Sequence, residues 1–221
     1  MKKISYLVIP SITLVLFIIW TILVKTVDVR YVPEIGFLGM YSLNTKINIV
    51  VQNGPTNIYH IISHVLLFAS FALVLVFFAL AIIQWVKREL LMKVDKIFFI
   101  LLGTYVSIAA LYLVFELMKI NFSPLSVPGD IHASYPSSHV FIFISIIGSS
   151  LIAFNRMKNN PTLKKWSYVE FALLVILMSI IRLFSGHHYF SDIIGGILLG
   201  LFVVSSTYMV DAYVHREEIA E

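Results

Sequence analysis

The chain has 221 residues, 59% of them hydrophobic and only 13% charged, with a mean hydropathy of +0.93. A soluble domain of this length carries about a quarter charged residues, so the composition excludes an ordinary soluble protein and points to a polytopic membrane protein. The net charge of +4 is then no nucleic-acid signal, and the absence of cysteine excludes disulfides, thiolate nucleophiles and cysteine-bound metals.

Crossing a bilayer takes about 20 mostly apolar residues. Six segments meet or approach that length: Ile4–Val24, Ile58–Val86, Ile97–Leu117, Ser138–Phe154, Tyr168–Phe184 and Phe190–Val214. The first follows Met1-Lys2-Lys3 like a signal peptide, but it is long enough to span and no small-residue cleavage site follows it. It is read as an uncleaved span. Between the first two spans, 26–57 mixes apolar and polar residues without a clean period, and part of it is expected to lie on the membrane as an amphipathic cover. Gly195, Gly196 and Gly200 in the last span are read as a close-packing stripe. The expected fold is all-α, a single membrane domain over 1–221.

Basic residues set the orientation. Lys2, Lys3, Lys87, Arg88, Lys93, Lys96, Arg156, Lys158, Lys164, Lys165 and Arg216 fall at the N-terminus, in the second and fourth loops and in the tail. The other loops and their margins hold only Lys25, Arg30, Lys46 and Lys119. The bias predicts that both termini are cytoplasmic. Two polar clusters remote in sequence then share the outer face: Pro136-Ser137-Ser138-His139 opens the fourth span, and Arg182 through His188 to Asp192 joins the fifth to the sixth.

Their chemistry suits phosphoryl transfer. His188 and Asp192 are four apart, on one face of a helix. A carboxylate on one ring nitrogen would aim the other outward as a nucleophile, although a plain interfacial hydrogen bond uses the same spacing. Arg182 inside an apolar span is costly and suits bidentate phosphate binding; snorkelling to the interface is the bland reading. Ser137 and Ser138 offer a helix N-terminus to an anion, with simple capping as the alternative. His139 is placed to protonate a leaving oxygen. His60 and His64 are also four apart; with the distant Glu116 they are weak evidence for a metal site, and they are read instead as a lining of the headgroup entrance.

With these residues in place, the chain resembles the type 2 phosphatidic acid phosphatase (PAP2) superfamily of bacterial membrane lipid phosphatases, related to vanadium haloperoxidases. The resemblance covers about 97–214. In outline the family motifs are Lys-x6-Arg-Pro, Pro-Ser-Gly-His and Ser-Arg-x5-His-x3-Asp. It implies a six-span haloperoxidase-like bundle and metal-free hydrolysis of an outer-leaflet lipid phosphate or diphosphate through a phosphohistidine, without cofactor. Undecaprenyl diphosphate, phosphatidylglycerol phosphate and phosphatidic acid are the implied substrates. The implied partners are that lipid and the bilayer, with no nucleic acid. By resemblance His188 is the nucleophile, Asp192 its orienting carboxylate, His139 the general acid, and Arg182, Ser137 and the Ser138 amide the phosphate cradle. Three positions depart from the pattern. Ile181 replaces the serine before the arginine, and Ser138 replaces the glycine of the second motif. In the first motif, Ser123 before Pro124 takes the arginine place and Glu116 the lysine place, leaving Lys119 as the nearby cation and Ser123 as the polar group in the arginine position. The degenerate first motif leaves an alternative open: a weak or inactive lipid-phosphate binder or transporter on the same fold.

Overall fold

The computed structural model describes residues 5–33, 36–127, 130–158 and 160–215. Seven α-helices make up most of them: α1 Ser5–Thr26, α2 Tyr41–Gln52, α3 Thr56–Arg88, α4 Lys96–Met118, α5 Ser138–Lys158, α6 Pro161–Phe184 and α7 Phe190–Val214. All but α2 are long and apolar enough to cross a membrane, so the six expected spans are present. Lys2, Lys3 and Arg216 of the charge argument lie outside the described residues.

The two spans that read as short are longer in the structure. Composition hid their ends, because basic and polar residues continue the helices beyond the apolar stretch. α5 runs on through Arg156 and Lys158. α6 starts seven residues before Tyr168, where Asn160 caps it by accepting from the amides of Thr162 and Leu163, and Pro161 fills the first turn.

α5 is the central helix. It packs against α3, α4, α6 and α7, while α1 packs along α7. Its small residues explain the position: Ser145, Ser149 and Ser150 are buried, and a Cβ on Gly148 would meet Val204 at 2.4 Å. The glycine stripe of α7 serves the same contact. A Cβ at Gly195 would fall 2.5 Å from the Tyr135 ring, at Gly196 2.8 Å from the Ser137 carbonyl, and at Gly200 2.8 Å from Ile144. Lipid-facing sides of α1, α3 and α4 expose Ile, Leu, Val and Phe side chains, as expected where the surrounding solvent is hydrocarbon.

Gly196 therefore holds the start of α5 in place through a backbone contact that cannot yield cheaply. Gly196→Ala is expected to lower the thermal midpoint in detergent by several degrees, with an overpacking cost of roughly 1–3 kcal/mol. Circular dichroism melts check this; an unchanged midpoint would mean that α5 and α7 are not in this contact.

The segment 26–57 does form a cover. Strands β1 (Arg30–Val32) and β2 (Gly36–Leu38) pair antiparallel, with Tyr31 opposite Phe37. α2 follows, exposing Leu43, Ile49 and Val50 while burying Asn44 and Val51. That amphipathic division suits a helix lying at an interface. Asn44 joins the cover to α7: its Nδ2 donates to the Gly39 carbonyl and to Ser191 Oγ, each at 2.9 Å, and its Oδ1 accepts from the Ser191 amide at 3.1 Å.

Candidate active site

Chain alternation brings the start of α3, the start of α5, the end of α6 and the start of α7 to one end of the bundle. The Arg182–Asp192 stretch and Ser137–His139 meet there. α6 closes with Ser185 Oγ donating to the Arg182 carbonyl at 2.6 Å. The chain then turns through Gly186, whose φ of +74° disfavours a side chain. Gln52 of α2 donates to the Gly186 carbonyl at 3.3 Å, so the cover also braces this turn.

His188 is buried, 7% exposed. Its Nδ1 lies 2.9 Å from the Ser134 carbonyl. A carbonyl only accepts, so Nδ1 carries the proton and Nε2 holds a free lone pair. Arg182 Nη2 donates to that lone pair at 3.0 Å. Arg182 is itself 4% exposed, and its Nη1 reaches Ser63 Oγ at 3.2 Å and His60 Nδ1 at 3.5 Å. The Arg182 Nε is buried without a hydrogen-bond partner, as are Ser137 Oγ and His139 Nδ1. Unsatisfied buried polar groups are costly. Three of them beside the two sequence clusters leave room for a polar guest to complete.

Asp192 is fully buried but does not bond the His188 ring, its Oδ2 standing 4.0 Å from Nδ1. The i, i+4 spacing predicted that bond; the Ser134 carbonyl has taken its place, because His188 sits in the turn before α7 rather than on the helix. Asp192 caps α7 instead, its Oδ2 accepting from the Tyr189 amide at 2.9 Å, while Oδ1 accepts from Asn121 Nδ2 at 3.1 Å and Ser191 Oγ at 3.4 Å. Its main-chain carbonyl accepts from the Ser137 amide at 2.9 Å, which locks the two clusters together. At 4.0 Å the carboxylate still favours positive charge on the imidazole.

His139 turns toward α3, its Nε2 lying 3.2 Å from His64 Nε2. His60 and His64 pack edge to face, and His187 stacks on His60 with ring centroids 3.8 Å apart. The histidines read as an entrance lining thus sit inside the site, against Arg182 and His139. They do not join Glu116, and among the described residues no three His, Asp or Glu side chains gather as metal ligands. Glu116 instead lines a narrow groove of about 20 Å³ between α4 and α5, with Tyr112, Phe115, Phe141, Ser138 and His188.

The two substitutes for the first-motif cations stand differently. Lys119 caps α4 as an exposed residue with φ +44°. Ser123 spends its hydroxyl hydrogen on the His187 carbonyl at 3.0 Å, tying the α4–α5 connection to the His188 turn. Sequence reasoning missed Asn121, Ser134, Ser63 and Asn44. The signal available for Asn121 was its place two residues before the Ser123-Pro124 pair.

Burial drives the His188 imidazole well below its ordinary pKa of 6.5, helped by the positive charge of Arg182 and by His139; His187 is lowered too, first by burial. The sign follows. Both rings are neutral when folded and take up protons on unfolding below about pH 6.5, so stability falls as pH drops through that value. The thermal midpoint is expected to be lower at pH 5 than at pH 7, and His188→Gln should flatten that dependence, a comparison calorimetry can make.

The PAP2 superfamily profile matches residues 114–216. The structure superposes on a transmembrane PAP2-type phosphatidylglycerolphosphate phosphatase from Bacillus subtilis with a TM-score of 0.71, covering 93% of this chain and 97% of that one at 17% identity. A comparison with curated protein sequences finds no match. Residues 114–216 of this multi-pass membrane protein, both polar clusters included, are thus similar to the PAP2 superfamily, and the fold as a whole is that of a transmembrane PAP2-type phosphatase.

Proposed function

We propose that the protein is an integral membrane phosphatase that hydrolyses the phosphomonoester or diphosphate of an outer-leaflet lipid. One observation carries the reading: a buried arginine donates to the free lone pair of a buried, neutral, backbone-oriented histidine. In the resting site Arg182 caps the nucleophile. An entering phosphate offers the guanidinium better acceptors and draws it off Nε2, leaving the lone pair facing phosphorus. Attack forms the Nε2–P bond and breaks the bond to the lipid oxygen, which leaves with a proton from His139. The His188 ring gains positive charge, which the Ser134 carbonyl and the Asp192 carboxylate stabilise. Water then cleaves the phosphohistidine. Ser137 Oγ, the Ser138 amide and the α5 N-terminus hold the phosphoryl oxygens. Lys119 contributes at most long-range charge from the rim, and Ser123 acts by holding the His187 main chain. No metal or cofactor has a step.

The narrow groove between α4 and α5 reaches Ser138 and His188 but is too small for an acyl chain, so the lipid tail is placed outside it, along the apolar helix faces. Substrates of this class include phosphatidylglycerol phosphate, phosphatidic acid and undecaprenyl diphosphate. Phosphate release from vesicles carrying each lipid, with orthovanadate as inhibitor, tests the proposal. No release from any of them by folded protein defeats it. The alternative, a lipid-phosphate binder without turnover, draws on Ser123 being engaged by His187 and on Glu116 in the groove, which leave Arg182 without the first-motif cations. Saturable lipid binding with no phosphate release would establish that alternative.

The site is proposed to face outward from the cell membrane, with both termini cytoplasmic. The cysteine-free chain permits a direct check. In intact cells Lys46→Cys on α2 should react with an impermeant maleimide, and Lys164→Cys on α6 only after lysis. The reverse pattern would put the site inside.

A further inference from the structure

His64 stands outside the residues given a role above, yet its ring meets that of His139 directly. Hydrogen-bond roles along it can be assigned in sequence. His64 Nδ1 lies 3.0 Å from the His60 main-chain carbonyl, so Nδ1 carries the proton and Nε2 can only accept while the ring is neutral. That Nε2 is 3.2 Å from His139 Nε2, so the hydrogen between them belongs to His139. His139 Nδ1 is then an unprotonated nitrogen, buried and without a partner. A general acid needs a proton on the atom that faces the leaving oxygen. In the resting site His139 has none to give from Nδ1.

We infer that His64 is the proton partner of His139, and that the pair works as a two-ring relay carrying one exchangeable proton. The inference rests on the phosphatase reading above. A proton that arrives with the phosphate settles on His139 Nδ1, and the shared hydrogen moves from His139 Nε2 to His64 Nε2. His64 becomes the imidazolium, with its Nδ1–H still on the His60 carbonyl, and His139 becomes neutral with Nδ1–H exposed. When the phosphorus–oxygen bond breaks, the Nδ1 proton passes to the leaving lipid oxygen and the shared proton returns to His139 Nε2. One proton enters and one leaves with the lipid alcohol, and both rings recover their resting tautomers. Attack of water on the phosphohistidine runs the relay in reverse.

The surroundings explain why two rings are used. The groups around the pair are Arg182 from α6, His60 and Ser63 from α3, and His187 and His188 from the turn before α7. Arg182 is the fixed cation of this cluster, held by His60, Ser63 and His188. Passing the charge to His64 places it on a ring whose N–H is already held by a carbonyl. His64 is thus a positioning residue: it acts through His139 and makes no bond to the substrate.

The test compares leaving groups in the full-length protein in lipid vesicles. A lipid alkoxide needs protonation and p-nitrophenolate does not. His64→Ala is expected to reduce kcat on phosphatidic acid by about 100-fold, to change p-nitrophenyl phosphate hydrolysis by less than about threefold, and to move the acid limb of the lipid pH profile. His139→Ala should show the same split, and the double variant should be no slower than His139→Ala. His64→Gln, which accepts a hydrogen bond but cannot carry the proton, should behave as His64→Ala. Equal losses on both substrates, no loss on either, or rescue by His64→Gln overturns the relay. If the wild-type protein releases no phosphate, the phosphatase reading falls by itself, and ¹⁵N spectra of histidine-labelled protein then decide the pair. A joint titration of two rings by one proton, lost in His64→Gln, supports it. Independent titration of His64 and His139 overturns it.

Discussion

His188→Ala should lower phosphate release by roughly four to six orders of magnitude, the range seen when a covalent nucleophile is removed from a preorganised site. The large effect follows from what each neighbour is built to do. The Ser134 carbonyl holds the Nδ1 proton, Arg182 waits on Nε2, and Asp192 lies 4.0 Å away; none of them can form a bond to phosphorus in its place. Removal also leaves Arg182 Nη2 without its acceptor, so the variant should melt somewhat below wild type while keeping its helical spectrum. Wild-type protein quenched during turnover should carry an acid-labile, base-stable phosphoryl group that is missing from His188→Ala. Retention of more than about a tenth of the activity would remove His188 from the nucleophile role, because mutational losses that small belong to groups acting at a distance.

Arg182→Lys is expected to produce the second-largest loss, about 100- to 1000-fold in kcat/KM, the cost of removing a preorganised donor to transition-state charge. Lysine keeps the charge but not the planar fork. Arg182 bridges Ser63 and His60 through Nη1 and His188 through Nη2, so one ammonium cannot satisfy both sides. Orthovanadate should inhibit the variant correspondingly less, since it probes the same cradle. Arg182→Ala should in addition destabilise the fold, leaving Ser63, His60 and His188 around a buried gap. The loss should exceed that from Lys119→Ala, because Lys119 is exposed at the end of α4. If Lys119→Ala proved the more damaging, the phosphate would sit nearer the rim than the His188–Arg182 contact implies.

The degenerate first motif gains a physical account from this comparison. Where the family pattern places two cations, this chain has Glu116 in the groove and Ser123 bonded to the His187 main chain. The space around Arg182 is filled from α3 instead, by His60 and Ser63, with His64 next to His139. Neutral imidazoles can gain charge when a dianion arrives, so a histidine-lined site need not hold its cations in advance. That exchange costs less in a buried membrane site than two permanent charges beside an empty pocket.

How much was legible before the fold was known depends on the range of the interaction. Span number came from apolar length, and it survived because each span satisfies its backbone within itself. Span ends were less legible: α5 and α6 continue through basic residues that an apolar count discards, and the Asn160 cap and Pro161 mark a start that hydropathy does not register. The nearness of Ser137–His139 to Arg182–Asp192 followed from helix alternation and the lysine and arginine bias. His188, Arg182 and His139 stood out by spacing and resemblance, and the fold gathers them at one end of the bundle.

Partner choice was not legible. Spacing four apart offered Asp192 to His188, yet the turn at Gly186 keeps His188 off the helix and gives Nδ1 to the Ser134 carbonyl, while Asn121 and the Tyr189 amide take the carboxylate. His64 and His139 are 75 positions apart and meet only because α3 packs against α5. The sequence by itself determined a six-span membrane protein with two polar clusters at one end, since length, hydropathy and residue type are local properties. Only the tertiary structure decided which atom holds each imidazole proton, because that depends on carbonyls and rings delivered by helices distant in the chain.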